Sequence, residues 1–214
     1  MDAMNNSSDF EKLKNEILQC TKCHLSQTRK HVIFGEGNPD ASILLIGEAP
    51  GRDEDIIGRP FVGKSGKLLD KILEACGFNR AEHIFISNIV KCRPPDNRVP
   101  TEAEADICMP HLIHQIEIIN PVIIILLGAT ALKYMFGNTY RITQIRGNWL
   151  QWQNKLVMPV YHPAALLRNP ALKRETWEDY KKIVFKYREL VDAEHFTPHI
   201  SEAEYQKNKN NTVQ

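Results

Sequence analysis

The chain has 214 residues, of which 43% are hydrophobic and 25% are charged, and its formal net charge is +1. These values are those of an ordinary globular protein with one sizeable core, and the net charge by itself does not indicate a nucleic-acid partner. The longest apolar run, Val122 to Leu127, is too short to span a bilayer, so we expect no membrane partner. An odd number of cysteines without a secretory-signal pattern favours reduced thiols or metal ligands in a reducing, cytoplasmic compartment.

The first half of the chain contains four segments with the pattern of regular elements. A capping box at Ser8 to Glu11 predicts the start of a helix that ends near Cys20. Continuous apolar runs predict buried strands, and a 3.6-residue apolar period predicts a second helix, which Gly77 ends. The predicted elements are helix 8–20, strand 42–46, helix 65–76 and strand 83–90.

The second half repeats the alternation. A second capping box, Thr101 to Glu104, predicts a long helix to about Ile119. Asn169-Pro170 has the pattern of a cap followed by proline at the first helical position. The remaining predicted elements are strand 122–127, helix 129–136, hairpin 149–161 and helix 170–190.

Alternating helices and strands predict an α/β fold, a three-layer αβα arrangement with a central four-stranded, mostly parallel sheet. We expect a single domain over residues 1–195. Residues 196–214 are polar, and we expect them to form a disordered tail.

The loop after strand 42–46 is a candidate site. Glu48 stands there between glycine and proline residues, at the edge of the sheet where open α/β folds bind ligands. One carboxylate in a loop is weak evidence of function. Three further features of the chain converge on this loop, namely the aromatic Phe61, the amide Asn88 and the imidazole His162.

Four of the five cysteines form a possible ligand set: Cys20 and Cys23 in a C-x2-C pair, and Cys92 and Cys108 much later. Cys76 ends an apolar helix and is interpreted as a core residue. Four thiolates suit zinc or an iron–sulfur cluster, and spacing alone favours zinc while leaving the cluster and the absence of any metal open.

Four motifs in order carry a family resemblance: GEAPGRDEDIIGRPFVGKSGKLLD, SNIVKCRPP, the strand followed by GATAL, and VYHPAALLRNP. Together they span Cys20 to about Asn169, and in this the chain resembles family 4 of the uracil-DNA glycosylases. The resemblance implies a four-stranded parallel sheet with helices on both sides. It also implies a [4Fe-4S] cluster on Cys20, Cys23, Cys92 and Cys108, which reverses the preference for zinc.

The resemblance implies roles for three pocket residues. Phe61 matches the aromatic residue that stacks on the flipped base, Asn88 the amide that reads the edge of the base, and His162 the histidine that hydrogen-bonds uracil O2. Without the resemblance these would be a core phenylalanine, an asparagine in a buried turn and a loop histidine.

Glu48, with Ala49 and Pro50, matches the motif that shapes the uracil pocket and places the attacking water. Our hypothesis is that Glu48 orients this water and offsets positive charge on the sugar. The wider superfamily has a catalytic aspartate where this chain has Ala49, so the identity of the general base does not carry over. Gly51 stands where those enzymes have a tyrosine that excludes thymine.

The segment after His162 matches the part of the family that enters the duplex. Leu166 is the expected wedge in the space left by the base, and Arg168 is the expected phosphate contact.

The resemblance therefore implies a monofunctional DNA repair glycosylase that hydrolyses the N-glycosidic bond of uracil by base flipping and leaves an abasic site. We expect a monomer that acts on uracil-containing DNA, single- or double-stranded. The alternatives are a catalytically inactive iron–sulfur module that binds nucleic acid, and a structural domain held together by zinc.

Overall fold

The structure is a computed structural model that describes residues 3–212, with side chains described from residue 8 to residue 207. Its helices are α1 Ala3–Leu18, α2 Arg52–Ile57, α3 Lys64–Ala75, α4 Glu102–Ile119, α5 Ala129–Phe136, α6 Ile142–Ile145, α7 Pro163–Arg168, α8 Lys173–Leu190 and α9 Glu202–Thr212. Its strands are β1 Glu36–Gly37, β2 Ile43–Gly47, β3 Ile84–Asn88, β4 Ile123–Leu127, β5 Leu150–Trp152 and β6 Lys155–Val160.

The strands form one mixed sheet in the order β1-β3-β2-β4-β6-β5. The four central strands are parallel, while β1 and β5 pair antiparallel at the two edges. The predicted α/β class is confirmed, but the sheet has six strands rather than four. A two-residue strand such as β1 carries no readable pattern, and β5 is the first arm of the predicted hairpin.

Helices cover both faces of the sheet. Alternate side chains of a strand point to opposite faces, so each central strand contributes to two hydrophobic cores. In β2, Leu44 and Ile46 belong to a core that α1, α4 and α5 complete. Ile43 and Leu45 belong to a second core on the other face, which α3 and α8 complete. All four side chains are fully buried, as is usual in parallel strands that are covered on both faces.

Strand β2 lies at the topological switch point of the sheet. The chain leaves β2 for its neighbour β3, and later returns to form β4 on the other side of β2. Connections that run in opposite directions leave a crevice at the carboxyl ends of these strands, where open α/β sheets bind ligands.

Several elements differ from the sequence-based predictions. Helix α1 begins at Ala3, ahead of the capping box at Ser8, and α2, α6 and α7 occupy segments that carried no helix prediction. The segment predicted to be a disordered tail is helical over Glu202–Thr212, and Ile200 just before it is buried. The domain boundary at residue 195 stays a prediction. None of the described helices combines the length and apolarity that crossing a membrane requires.

Candidate active site

A cavity of about 730 Å³ opens at the carboxyl ends of the parallel strands. Residues at or just after the end of each of these four strands contribute to its wall. The strand-end residues that line it are Glu48 and Ala49 after β2, Asn88 at the end of β3, Leu127 and Gly128 at β4, and Tyr161 and His162 after β6.

Most of the predicted site residues meet in this cavity. Lining side chains include those predicted to act on the base, the sugar or the phosphate, namely Glu48, Ala49, Phe61, Asn88, His162 and Arg168. Pro50 and Leu166 are buried, and neither contributes to the lining of the cavity. Three distant loops therefore do converge, as the sequence predicted.

Phe61 is held in an unusual backbone conformation. Its φ of 52° lies in the left-handed region, which an aromatic residue seldom adopts. Arg80 stabilises this turn by donating hydrogen bonds to the carbonyl oxygens of Pro60 and Phe61, at 2.9 and 2.8 Å. The Phe61 ring lies 5.6 Å from the His162 ring, with 31° between their planes. Strain that the surroundings enforce in this way is typical of a functional position.

Glu54 fixes the same loop from inside the cavity. Its carboxylate accepts hydrogen bonds from the backbone N–H groups of Val62 and Gly63, both at 2.9 Å, and of Gly51 at 3.1 Å. These bonds join the loop after β2 to the turn that carries Phe61. Glu54 is therefore a positioning residue rather than a free carboxylate.

Asn88 presents an unpaired amide to the site. The residue is only 2% exposed, and its Oδ1 has no hydrogen-bond partner among the residues that the structure describes. A Cβ at Gly47 would collide with this oxygen and with the ring of Phe61, so a glycine is required there. Leaving a buried acceptor unpaired costs about 1–3 kcal/mol, which a ligand in the cavity would recover.

His162 is a neutral hydrogen-bond donor. Its Nδ1 accepts a bond from the backbone N–H of Ala164 at 3.1 Å, so the ring proton is on Nε2. Burial, aided by the nearby positive charge of Arg168, lowers the pKa of His162 to about 4. Gly128 allows this approach, because a Cβ there would lie 2.9 Å from the Cβ of His162.

Glu48 is oriented by a residue that the sequence reasoning missed. The hydroxyl of Thr130 donates a hydrogen bond to Oε2 of Glu48. Thr130 belongs to the first turn of α5, which follows β4 after Gly128. A strand, a glycine and a helix in succession bring the first helical residues to the sheet edge, and this signal could have identified Thr130.

The structure buries Leu166, the residue predicted to enter the duplex. Leu166 is 1% exposed because α7 turns it toward the protein interior, whereas its neighbour Leu167 is 46% exposed. No helix was predicted from the sequence for residues 163–168, and helical geometry decides which leucine faces solvent. Arg168 is exposed and lines the cavity, and its contact with a phosphate group stays a prediction.

The four predicted cysteine ligands line one small, enclosed cavity next to the end of β3, together with Arg29 and Lys91. Arg29 donates a hydrogen bond to the Cys92 sulfur at 3.1 Å, and burial raises the pKa of the Cys92 thiol to about 11. Within the described part of the chain, no group of three or more His, Cys, Asp or Glu side chains is arranged to hold one metal ion. Cys76 lies apart in the hydrophobic core, as expected.

Lys91 is fully buried beside these cysteines. Burial lowers the pKa of its ammonium group to about 8, against the opposing influence of Cys108 and Cys92. The ammonium group donates to Ser87 and to the backbone carbonyl of Asn88, so it connects the cysteine site with the end of β3.

This arrangement of a parallel sheet and a polar pocket at its switch point matches a known class of protein. The model of the uracil DNA glycosylase superfamily matches residues 34–181 of the chain. The matched stretch contains all six strands and every predicted residue of the pocket.

The similarity extends to individual proteins. The chain is 48% identical over 183 residues to the type-4 uracil-DNA glycosylase of Sulfurisphaera tokodaii, covering 81% of this chain and 83% of that protein. It is 47% identical over 177 residues to the Thermotoga maritima protein of the same name, covering 81% and 92%. For the Saccharolobus solfataricus protein of that name, the identity is 45% over 184 residues, covering 82% and 85%. The chain therefore belongs to the type-4 family of the uracil-DNA glycosylase superfamily, and the resemblance drawn from the motifs is confirmed.

Proposed function

We propose that this protein is a DNA repair enzyme, a monofunctional uracil-DNA glycosylase that hydrolyses the N-glycosidic bond of uracil in DNA. Its relatives over four fifths of its length carry that name. The observation that carries the proposal is the convergence of Phe61, the unpaired Asn88 amide, the N–H of His162 and Glu48 in one cavity.

The pocket suits a base that has left the duplex. Uracil must be flipped out of the stack before its glycosidic bond is accessible. The ring of Phe61 offers a stacking surface, and the Asn88 amide can donate to uracil O4 and accept from N3–H. Cytosine presents the opposite pattern at these two positions, so Asn88 would discriminate against it.

His162 would stabilise the departing base. As the bond between C1′ and N1 breaks, negative charge develops on uracil O2, and an N–H placed there stabilises the transition state. The neutral form suits this role because its Nε2–H remains available at neutral pH without the cost of a buried cation.

Glu48 would act on the sugar side of the bond. One of its oxygens accepts from Thr130, which leaves the other free to orient a water molecule and to offset charge on an oxocarbenium-like sugar. Ala49 has no side chain that could take the proton, so we assign it and Pro50 to the shape of the uracil pocket.

The DNA contacts follow from helix α7. We propose Leu167, rather than Leu166, as the side chain that fills the space left by the flipped base, because only Leu167 is exposed. Arg168 beside the cavity would bind a phosphate group. Neither contact reads sequence, which suits an enzyme that acts wherever uracil occurs.

We also propose a [4Fe-4S] cluster on Cys20, Cys23, Cys92 and Cys108. In such a cluster each thiolate binds a different iron, so the four sulfur atoms need not converge on one point. This fits cysteines that surround one cavity without forming a single-ion site. The cluster would supply cross-linking of distant segments rather than a step of the hydrolysis. Thiolate ligands favour a reducing, cytoplasmic location.

Incubation with a uracil-containing oligonucleotide, followed by alkali, tests the proposed function. Alkali cleaves at abasic sites, so we expect cleavage of the uracil strand alone, with thymine and cytosine strands intact. Single- and double-stranded substrates compared side by side give the strand preference, and size-exclusion chromatography tests for the expected monomer. Cluster-loaded protein that binds this DNA and leaves uracil in place would instead support the inactive iron–sulfur module.

A further inference from the structure

Lys91 is a buried cation that the proposed uracil chemistry does not use. Its side chain is 1% exposed, and its Nζ donates three hydrogen bonds, to Ser87 Oγ at 2.5 Å, Gln115 Oε1 at 2.7 Å and the Asn88 carbonyl at 2.8 Å. All three acceptors are neutral. They satisfy the hydrogen-bonding capacity of the ammonium group but not its charge.

Such an environment is unfavourable for a lone ammonium ion. Transfer of a charge from water into a protein interior is costly unless an opposite charge lies close by. Among the described side chains, no aspartate or glutamate forms a salt bridge with Lys91, and its three partners carry no charge. The described acidic side chains therefore provide no negative charge to offset the cost of burying the Lys91 ammonium group.

The cysteine site can supply that charge. Lys91 lines the same enclosed cavity as Cys20, Cys23, Cys92 and Cys108. An iron–sulfur cluster on four thiolates carries a net negative charge. Arg29 also faces this site, but it is only partly buried and water can hydrate its charge.

We propose that Lys91 is the buried counter-cation of the iron–sulfur cluster. This inference rests on the cofactor assigned in the proposed function. The loaded cluster and Lys91 then stabilise each other, and through the Asn88 carbonyl they stabilise the end of β3. In protein without the cluster, Lys91 is an uncompensated charge and destabilises the fold.

A comparison of loaded and cluster-free protein tests the proposal. Lys91→Met keeps the length of the side chain and removes its charge. We expect the loaded variant to lose absorbance near 400 nm, in the presence of an iron chelator, about tenfold faster than the wild type. Without the cluster we expect the substitution to be stabilising, so that the cluster-free variant has a higher Tm than the cluster-free wild type.

Lys155→Met is the matched control. Lys155 is also buried and also bonds to a neutral amide oxygen, that of Asn120, but it lies at the amino-terminal end of β6, away from the cysteines. Its substitution should change Tm by the same amount in both forms and leave the rate of cluster loss unaltered.

Lys91→Gln separates charge from hydrogen bonding, because the amide keeps a donor. We expect it to lose the cluster as Lys91→Met does, and a glutamine variant as stable as wild type would overturn the proposal. Loss of the cluster at the wild-type rate in both Lys91→Met and Lys91→Gln would also overturn it. The same holds for a fall in Tm that is equally large in the cluster-loaded and the cluster-free protein. Wild-type protein that releases uracil but contains no iron would refute the cofactor and Lys91 together, and would leave the glycosylase function intact.

Discussion

At the scale of single residues, the polar groups of the pocket are fixed in orientation by hydrogen bonds to neighbouring residues. Thr130 holds one oxygen of Glu48, Ala164 holds Nδ1 of His162, and Glu54 holds the turn before α3. Oδ1 of Asn88, at the edge of the cavity, has no partner among the described residues and is a group that a ligand could satisfy. Preorganisation of this kind lowers the cost of aligning groups with the transition state.

Glu48→Gln should lower kcat by about 10²- to 10⁴-fold, because the amide can no longer orient water or offset charge on the sugar. We expect KM to change little, since the carboxylate acts mainly in the transition state. The rate of uracil release under single-turnover conditions measures the loss in the chemical step. Glu102→Gln is the control, because this exposed carboxylate pairs only with Lys133 on the surface. A glutamine at position 48 with near-normal turnover would refute the assigned role.

His162 should make the stability of the protein depend on pH. Its pKa falls from 6.5 to about 4 on folding, so between these values the unfolded chain binds more protons than the folded one. The free energy of unfolding should therefore decrease as the pH is lowered from 6.5 to 4. Urea denaturation at pH 7 and pH 4.5 measures this decrease, which should be smaller in His162→Gln. An NMR titration midpoint near 6.5 for His162 would contradict the assignment of a neutral, buried ring.

At the scale of elements, helix α7 shows how a short helix divides adjacent side chains between different tasks. His162 precedes α7 and accepts a hydrogen bond from the backbone N–H of Ala164, so the imidazole that we propose for the base also caps the helix that we propose for the DNA. The helix then places Leu166 inward and Leu167 outward.

Leu166→Ala should therefore affect mainly stability, and Leu167→Ala mainly activity on double-stranded DNA. Leu166→Ala creates a cavity and should lower the free energy of unfolding by about 2–5 kcal/mol. Leu167→Ala should change stability by less than about 0.5 kcal/mol, as surface substitutions do. It should reduce activity on double-stranded uracil DNA more than on single-stranded DNA, where no stack needs filling. Urea denaturation and kinetics on both substrates measure these effects, and equal losses on both substrates would argue against the wedge.

At the scale of the whole molecule, the cysteine site connects segments that are far apart in sequence. Cys20 and Cys23 follow α1, Cys92 follows β3, and Cys108 lies within α4. A cluster there would join one covering layer of helices to the loop that leads away from the pocket. Its contribution should therefore be to stability rather than to the chemistry of the base.

Removal of the cluster by a chelator should lower Tm by about 10 °C, if closing this long segment contributes about 4 kcal/mol. Cys108→Ala should behave like the chelated protein, while Cys76→Ala should keep its iron, because Cys76 lies in the core. Calorimetry and iron analysis of both variants measure the effect. An unchanged Tm after complete loss of iron would show that the cysteine site does not stabilise the fold.

The sequence by itself determined the alternation of elements, and it identified several of the residues that line the pocket. Apolar runs such as β4 and the capping box at Thr101 are local signals, because burial and capping depend on neighbours in the chain. The motifs that contain Glu48, Phe61, Asn88 and His162 also carried the family resemblance, which the matched relatives confirm.

Only the tertiary structure decided how these residues are held. The left-handed turn at Phe61 depends on Arg80, nineteen positions later, and the orientation of Glu48 depends on Thr130 from another strand end. The choice between Leu166 and Leu167 depends on how α7 packs. Contacts between residues far apart in sequence leave no periodic signal, because their geometry is set by the packing of the whole chain and not by any local stretch of it.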